Sequence, residues 1–576
     1  MAIASNFPNI RPTFIADFAN GQTLDNRITF LRTGPAVYYD GKSSALAEQN
    51  LLLQSNTFNN AAWVATNATI ATGVTDPAGG TTAFSMTATA GNATLYQTVT
   101  LTATAYTESI YIQRVTGTGT INLTLDGSTL SPVTITGSWV KYTYTATPSA
   151  GSRTIGIQIV TSGDAINIYG SQLENRSSAT ATNITTTTAI NNYIPTLQSA
   201  PINTPRFDFN PVTGESLGLL LEPGSTNGLL WSEDYTNAVW TKTNATPIAS
   251  ANIAPDGTQT AQLLVATTTN GVHQIYQTTA NTNNNAPSSW SIFAKAGGQR
   301  YLNLNAVYGA NNFTANFDLQ AGTAGTTSGS LGYNQSSNIT PVGNGWYRCS
   351  ISFTGGGGAG GIYISVNNAS TGSPASFAGD GFTGIYIWGS QYEPTYSVNS
   401  FTSVYLTSYI KTTTATVSRA NDNVSITGSN FTGFINLSQG TWYAEAQAGW
   451  IENNGNYPTI FAIYNASGSV LQNLVGQSST TTSKLIGSAT LTPIINSSVN
   501  NIGVFNKQAY IYTNSILSIS ALGVAPLSST SNNAIPTASY MQIGSGPSGS
   551  LNGHIKKISY YPIAMTSANL QALSGS

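Results

Sequence analysis

Apolar and polar residues alternate along much of this chain, at the spacing of a strand with one buried and one open face. In Ile121–Gly127, Ile121, Leu123 and Leu125 share a face, and Asp126-Gly127 supplies a turn. Ile155, Ile157 and Ile159 repeat the pattern, as do the stretches 301–307 and 361–366. Thr, Val, Ile and Tyr suit a pleated, half-buried surface, while Asn, Gly and Ser suit the tight turns between strands. Helical periodicity is scarce, and the pattern predicts short helices only at Ser44–Asn50 and Thr566–Ser574, the second capped by Thr566 or Ser567. The predicted class is all-β.

The chain also repeats itself. Residues 50–63, running from Asn50 to Trp63, match residues 227–240, from Asn227 to Trp240. The match continues through Tyr96-Gln97-Thr98 with Tyr276-Gln277-Thr278, and Ser109-Ile110-Tyr111 with Ser291-Ile292-Phe293. It closes through Trp139 with Trp346, and Gly170-Ser171-Gln172-Leu173-Glu174 with Gly389-Ser390-Gln391-Tyr392-Glu393. The second copy is longer, mostly between Ala310 and Asn344, and insertions are expected in surface loops. Each copy has the size of a β-sandwich or jelly roll. The predicted organisation is module 1 at 46–176, a connector at 177–222, module 2 at 223–396, a Thr-rich connector at 397–427 and a third unit at 428–576. Units this size agree with 576 residues at about 150 per domain.

Charge narrows the function. Asp, Glu, Lys and Arg make up 7% of the chain, against about 25% in ordinary domains. With 19 basic and 21 acidic side chains and no basic stripe, nucleic acid is excluded as a partner. Cys349 is the single cysteine, so there is no intrachain disulfide and no cysteine-based zinc site. It sits in an alternating strand and reads as a small buried hydrophobe. No apolar run approaches the ~18 residues of a membrane span. The residues after Met1 lack a charged and apolar leader, so no signal peptide is expected. His273 and His554 stand far apart without a second histidine at ligand spacing, and His554 reads as a solvated strand residue. Glu233 and Asp234, adjacent on a strand, would point to opposite faces rather than across a sugar bond. The glycines at 355–361 lack the Lys-Ser/Thr of a phosphate loop. No catalytic, metal or cofactor-binding residue is assigned, and the expectation is a protein that is not an enzyme.

Aromatic residues are the better lead, because sugar rings stack on exposed Trp and Tyr faces while amides reach the hydroxyls. Trp63 and Trp240, like Trp139 and Trp346, recur in both copies and are expected to be buried packing residues. Trp231, Trp290 and Trp388 have Gln54, Glu108 and Tyr169 as counterparts, so they are freer to serve a surface. Trp450, Glu452, Asn453, Asn454, Asn456 and Tyr457 combine two aromatic faces with amides and an acid in one predicted loop, the leading candidate for glycan binding.

Several stretches resemble the tail or fibre proteins of tailed bacteriophages: Arg11–Phe18, Arg27–Gly41, Pro205–Pro223 with the Asn227–Trp240 stretch, and Ser408–Thr413 with Ser418–Val424. Residues 553–570 resemble the last strand of a concanavalin A-like (laminin G-like) sandwich. Gly224-Ser225 departs from the family, which usually carries a basic residue before Thr226-Asn227, and Gly34-Pro35 interrupts a small polar run. The resemblance implies a structural virion protein, made in the host cytoplasm. Residues 1–45 would be an N-terminal segment attaching to other virion proteins, two carbohydrate-binding-like jelly rolls would follow, and 428–576 would form the distal concanavalin A-like sandwich. It implies attachment to host cell-surface glycan as a homo-oligomer, a trimer by fibre analogy. Related modules occur in head decoration, cement and baseplate proteins and in glycan depolymerases, which stand as alternatives. Jelly rolls of this kind often hold a structural calcium, for which Glu174 and Glu393 would be the acids; the competing reading makes each a salt bridge or a strand end.

Overall fold

The computed structural model describes residues 10–281, 287–331, 335–354, 358–394, 406–449, 458–479, 482–487, 494–495, 503–530, 535–547 and 549–575. It is built almost wholly from antiparallel strands, as the alternation predicts, with short helices at Phe18–Gly21, Ser429–Thr432 and Ser567–Gly575. Ser44–Asn50 is not a helix. It ends the long strand Ala36–Asn50, which pairs with Ile190–Ala200 into a two-stranded ribbon. Helix-forming residues such as Ala45, Leu46 and Glu48 yield there to a cross-strand partner far away in sequence.

Module 1 is a sandwich of two five-stranded sheets. Leu95, Leu123, Ile155 and Ile157 of one sheet meet Ile110, Ile112, Ile166 and Ile168 of the other in a closed core. Module 2 repeats the plan with a seven-stranded and a six-stranded sheet. Its insertion is not a surface loop. Asn311–Asp318 lengthens the edge strand that module 1 has at Ser131–Val133, Thr323–Gly329 adds a further strand to the first sheet, and Ser336–Gly343 extends the second.

Both modules are closed by the same polar staples. Asn50 Nδ2 donates to the carbonyls of Ser171 (3.0 Å) and Asn183 (2.7 Å), and Asn227 Nδ2 donates to those of Ser390 (3.0 Å) and Ile410 (2.8 Å). Gln97 clamps both backbone groups of Leu53 as Gln277 clamps those of Leu230. Gln54 and Trp231 take left-handed backbones (φ 49° and 51°), and their carbonyls accept from the indoles of Trp63 and Trp240. Glu174 accepts from the amide and hydroxyl of Thr180, and Glu393 from those of Thr407. Each module therefore extends past its predicted end: residues through Thr185 and through Thr412 fold back onto their own entry strands.

The third unit is assembled from three parts of the chain. Phe14–Asp17, Arg206–Phe209 and Ser216–Leu221 join the eight-stranded sheet that contains Gly553–Tyr561. Thr29–Leu31 and Asn423–Thr427 join the opposing seven-stranded sheet. The N-terminal segment is thus built into the C-terminal sandwich at residues 14–31, and much of the stretch 177–222 consists of ribbon and sheet strands. Phe14, Phe18, Phe30, Leu219 and Leu221 share one core with Trp442, Phe461 and Tyr560.

Where these parts meet, five charged side chains are buried together. Arg32 Nη1 lies 3.1 Å from Asp422 Oδ1, and Arg206 reaches Asp422 Oδ2 (2.5 Å) and Glu222 Oε2 (2.7 Å). Arg419 lies 3.5 Å from Glu222 and donates to the Pro223 carbonyl at 2.7 Å. Burial pushes the Glu222 carboxyl up, but Arg419 and Arg206 outweigh it and hold it at about 2. Glu108 shows the opposite case. It lies in the module 1 core at the place module 2 gives to Trp290, and burial raises it well above the carboxylate range, offset only in part by the Thr124 backbone.

Two predictions follow from this construction. A fragment of residues 426–576 lacks four strands of its own sandwich and most of a fifth, Asn423–Thr427, so it is expected to show no cooperative melting transition. Residues 48–189, which keep every staple of module 1, are expected to melt cooperatively, and circular dichroism on the two fragments checks both. The two acids give opposite pH dependences. Glu222, depressed in the fold, stabilises above the unfolded carboxylate pKa of about 4.3, and that stability drains as pH falls towards 2. Glu108, raised in the fold, costs stability increasingly as pH rises above about 4.3. Glu108→Gln is therefore expected to raise the module 1 melting temperature by roughly 3–6 °C at pH 7.5 and to change it little at pH 4, read by calorimetry.

Candidate functional site

A patterned face lies on module 2. In its seven-stranded sheet, Ile275, Ile362, Ile364, Leu302, Leu304 and Phe313 point into the sandwich. Their alternates therefore point outward. Strand register lines these up in two rows across Gly271–Asn281, Gly358–Asn367, Tyr301–Tyr308 and Asn311–Asp318. One row is Gln274, Ser365, Asn303 and Asn316; the other is Tyr276, Tyr363, Asn305 and Thr314. The Tyr276 and Tyr363 rings stack at 4.6 Å with 22° between their planes, and both are half-buried.

The rows are closed at one end by the segment following Asn367. Asn367 Nδ2 donates to Ser373 O (3.2 Å) and its Oδ1 accepts from Ala375 N (3.1 Å), while Asn316 Nδ2 reaches Ser370 Oγ (3.4 Å). Thr314 Oγ1 donates to Asn303 Oδ1 at 2.9 Å. Asn303 Nδ2 and the Ser365 hydroxyl, neighbours across two strands, are buried without hydrogen-bond partners. Asn303, Ser365, Thr314 and Asn316 are fully buried, so the unmatched amide and hydroxyl lie beneath the face, and what it presents is the two half-buried tyrosine rings beside Gln274 and Asn305.

Module 1 does not offer the same face. Its counterpart of Asn303 is Asn122, which is satisfied by Gln158 Oε1 at 2.9 Å. Tyr96 has Gly156 beside it where Tyr276 has Tyr363. The strand that brings Thr314 and Asn316 to module 2 answers to the three-residue Ser131–Val133, which sets Pro132 opposite Asn122.

The tryptophans singled out from the sequence lie elsewhere. Trp290 is in the sandwich interior, its indole donating to Ser390 Oγ at 3.0 Å, because an inward strand position packs whatever residue stands there. Trp388 does face outward from the second sheet, beside Phe293 and Tyr409, but the ribbon covers that face and buries it. Trp231 is half-buried against the module core. None of the three presents an exposed ring face. Trp63, Trp240 and Trp346 are buried, but Trp139 is only half-buried: Trp346 gains its cover from Ile194 of the ribbon, which module 1 lacks. Trp450, Glu452, Asn453, Asn454, Asn456 and Tyr457 lie outside the described residues.

Cys349 is buried, which pushes its thiol well up. His554 is not a solvated strand residue. It is half-buried, with Gln447 Oε1 at 3.0 Å from one ring nitrogen and Asp208 Oδ2 at 2.8 Å from the other, because the strands of residues 206–221 pack beside it. Among the described residues, no group of three or more His, Cys, Asp or Glu side chains is placed to hold a metal ion. The signal for the platform was present in the sequence. Tyr276 belongs to the repeated Tyr-Gln-Thr, and alternation in 361–366 sets Tyr363 and Ser365 on the polar face.

No family model matches the chain, and no curated protein matches it. Among solved structures it is similar to the CBM22-1–CBM22-2 tandem domain of Paenibacillus barcinonensis Xyn10C, at 11% identity and a TM-score of 0.21, covering 61% of this chain and 99% of that one. It is similar to domains LG4-5 of the mouse laminin alpha1 chain at 8% identity and a TM-score of 0.16, covering 50% and 85%. Trypanosoma rangeli sialidase gives 8% identity and a TM-score of 0.22, covering 98% and 97%. At these scores none of the likenesses bears on what this chain does.

Because Tyr276 and Tyr363 lie on the open side of the sheet, Tyr276→Ala and Tyr363→Ala are each expected to shift unfolding free energy by less than about 1 kcal/mol. Trp290→Ala, which empties a core position, is expected to cost about 3–5 kcal/mol. Urea denaturation of the three variants checks the contrast.

Proposed function

We propose that this chain is a structural protein of a tailed-bacteriophage particle, without enzymatic activity of its own, that holds host-surface glycan on the Tyr276–Tyr363 face of module 2. The observation that carries the glycan reading is that face: two stacked, half-buried phenol rings flanked by the half-buried amides of Gln274 and Asn305. The phage setting rests on the sequence resemblance. It gains support from the buried charge cluster, because Arg32, Arg206, Glu222, Arg419 and Asp422 all come from stretches that carry the resemblance. A shallow polar site binds weakly, and several copies on one particle supply avidity. Residues 14–31 and the C-terminal sandwich form one body, so in this proposal that body faces the particle and module 2 is presented outward. This replaces the arrangement in which the C-terminal sandwich is the distal end.

One observation favours a depolymerase as the second reading. Glu233 and Asp256 line the same cavity of about 420 Å³ as Trp388 and Tyr409, and burial raises the Glu233 carboxyl despite Lys411. A raised acid near a second carboxylate is what glycoside hydrolysis uses.

The test is retention of the full chain on an array of purified bacterial surface polysaccharides and lipopolysaccharides. Binding to at least one glycan is expected, weakened about tenfold or more by Tyr276→Ala or Tyr363→Ala, with no reducing sugar released. Retention on none, or undiminished retention of both variants, overturns the platform reading. Sugar release abolished by Glu233→Gln establishes the depolymerase instead.

A further inference from the structure

A second site lies where the ribbon, module 2 and the C-terminal sandwich meet. They enclose a cavity of about 360 Å³, within the range of small-molecule sites. Val37, Leu197, Phe209, Leu220, Phe293 and Val342 form much of its wall. Most polar groups on it are already matched. Asp208 accepts from the Tyr39 backbone amide at 2.8 Å and lies 2.8 Å from the His554 ring, and Glu222 belongs to the charge cluster.

Two hydrogen-bond donors remain. The Arg348 guanidinium lies over the Phe293 ring at 5.5 Å and donates to Ser291 Oγ at 3.1–3.2 Å. Among the described residues no carboxylate lies within ion-pair distance of it. The Tyr39 hydroxyl is buried without a partner and lies within the electrostatic reach of Arg348. The repeat supplies an internal comparison. Arg348 corresponds to Lys141, each standing two residues after a matched tryptophan. Lys141 Nζ donates to the Thr180 carbonyl at 2.6 Å. Thr407, the counterpart of Thr180, lines the cavity but takes no hydrogen bond from Arg348. The cation that closes module 1 lines a cavity in module 2, where Glu393 and Glu222 act on it from beyond ion-pair distance.

We propose that this cavity binds a small carboxylate, held by the Arg348 guanidinium and the Tyr39 hydroxyl. A planar group of one negative charge matches one guanidinium. A phosphate dianion would bring a second charge towards Asp208 and Glu222, which also line the space. The site is separate from the Tyr276 platform and does not rest on the glycan reading.

Isothermal titration of the full chain with sodium acetate and sodium D-glucuronate tests it, with D-glucose and inorganic phosphate as controls. Saturable binding of at least one carboxylate is expected, with none of glucose or phosphate. Arg348→Gln is expected to weaken binding at least about tenfold, and Tyr39→Phe about threefold to tenfold. Tyr39→Phe removes only an unmatched hydroxyl, so its melting temperature should stay at or above that of the native chain. Tyr276→Ala should leave carboxylate binding unchanged, which separates this result from the fate of the platform. The proposal is overturned if neither carboxylate binds, if glucose binds as well, if phosphate displaces the carboxylate, or if either cavity variant binds like the native chain.

Discussion

The tertiary structure depends on one buried ionic knot. Arg32, Arg206, Arg419, Glu222 and Asp422 come from four separated stretches, in a chain with only 19 basic and 21 acidic side chains. Burying such groups is costly unless each finds a partner and its remaining donors find acceptors. Here the carbonyls of Gly34, Ala200, Pro201, Val37 and Pro223 accept from the arginines, and Ser408 donates to Glu222 through both its amide and its hydroxyl. Among the described residues, only Arg206 Nε and Arg419 Nε of these arginine donors are buried without a partner, and the other bonds form only when all the stretches are in place. Hydrophobic contact alone would let the short strands Phe14–Asp17 and Thr29–Leu31 slide along their partners, and the knot fixes their position.

The same logic operates at smaller scale in the modules. Asn50 and Asn227, Gln97 and Gln277, and Glu174 and Glu393 are uncharged or singly charged clamps, each worth about a kcal/mol, that tie an exit segment to an entry strand. Duplication kept these clamps while the faces outside them diverged. One outer face of module 2 was sealed by the ribbon, with Lys295 pairing to Glu48 across the contact. The other was widened by Thr323–Gly329 and keeps the Tyr276 and Tyr363 rings only half-buried. What distinguishes the modules is which surface has been covered.

The strands, the repeat and the all-β class were legible because alternation and self-similarity are local properties of the sequence. The extent of the third unit was not. Strands such as Arg206–Phe209 complete a sheet whose other members lie hundreds of residues away, and nothing in their own pattern says which sheet they enter. The helix expected at Ser44–Asn50 failed for the same reason. Asking which tryptophans lack a counterpart was the wrong filter for a binding face, because it does not separate inward from outward positions. Tyr363 was marked by its own alternation, and Tyr276 was hidden by belonging to a repeated motif.

Joining Phe14–Asp17 to Gly553–Tyr561 also sets a timetable for biosynthesis. At about 5–20 residues per second, the ribosome needs roughly half a minute to two minutes between making the first of these strands and making its partner. Both modules can complete their own hydrogen-bonded staples in that interval. Phe14 and Phe30, destined for the sandwich core, lack their strand partners Gly553–Tyr561 and Asn423–Thr427 until hundreds of residues later. Over that interval those two phenylalanines are the natural target for a holding chaperone.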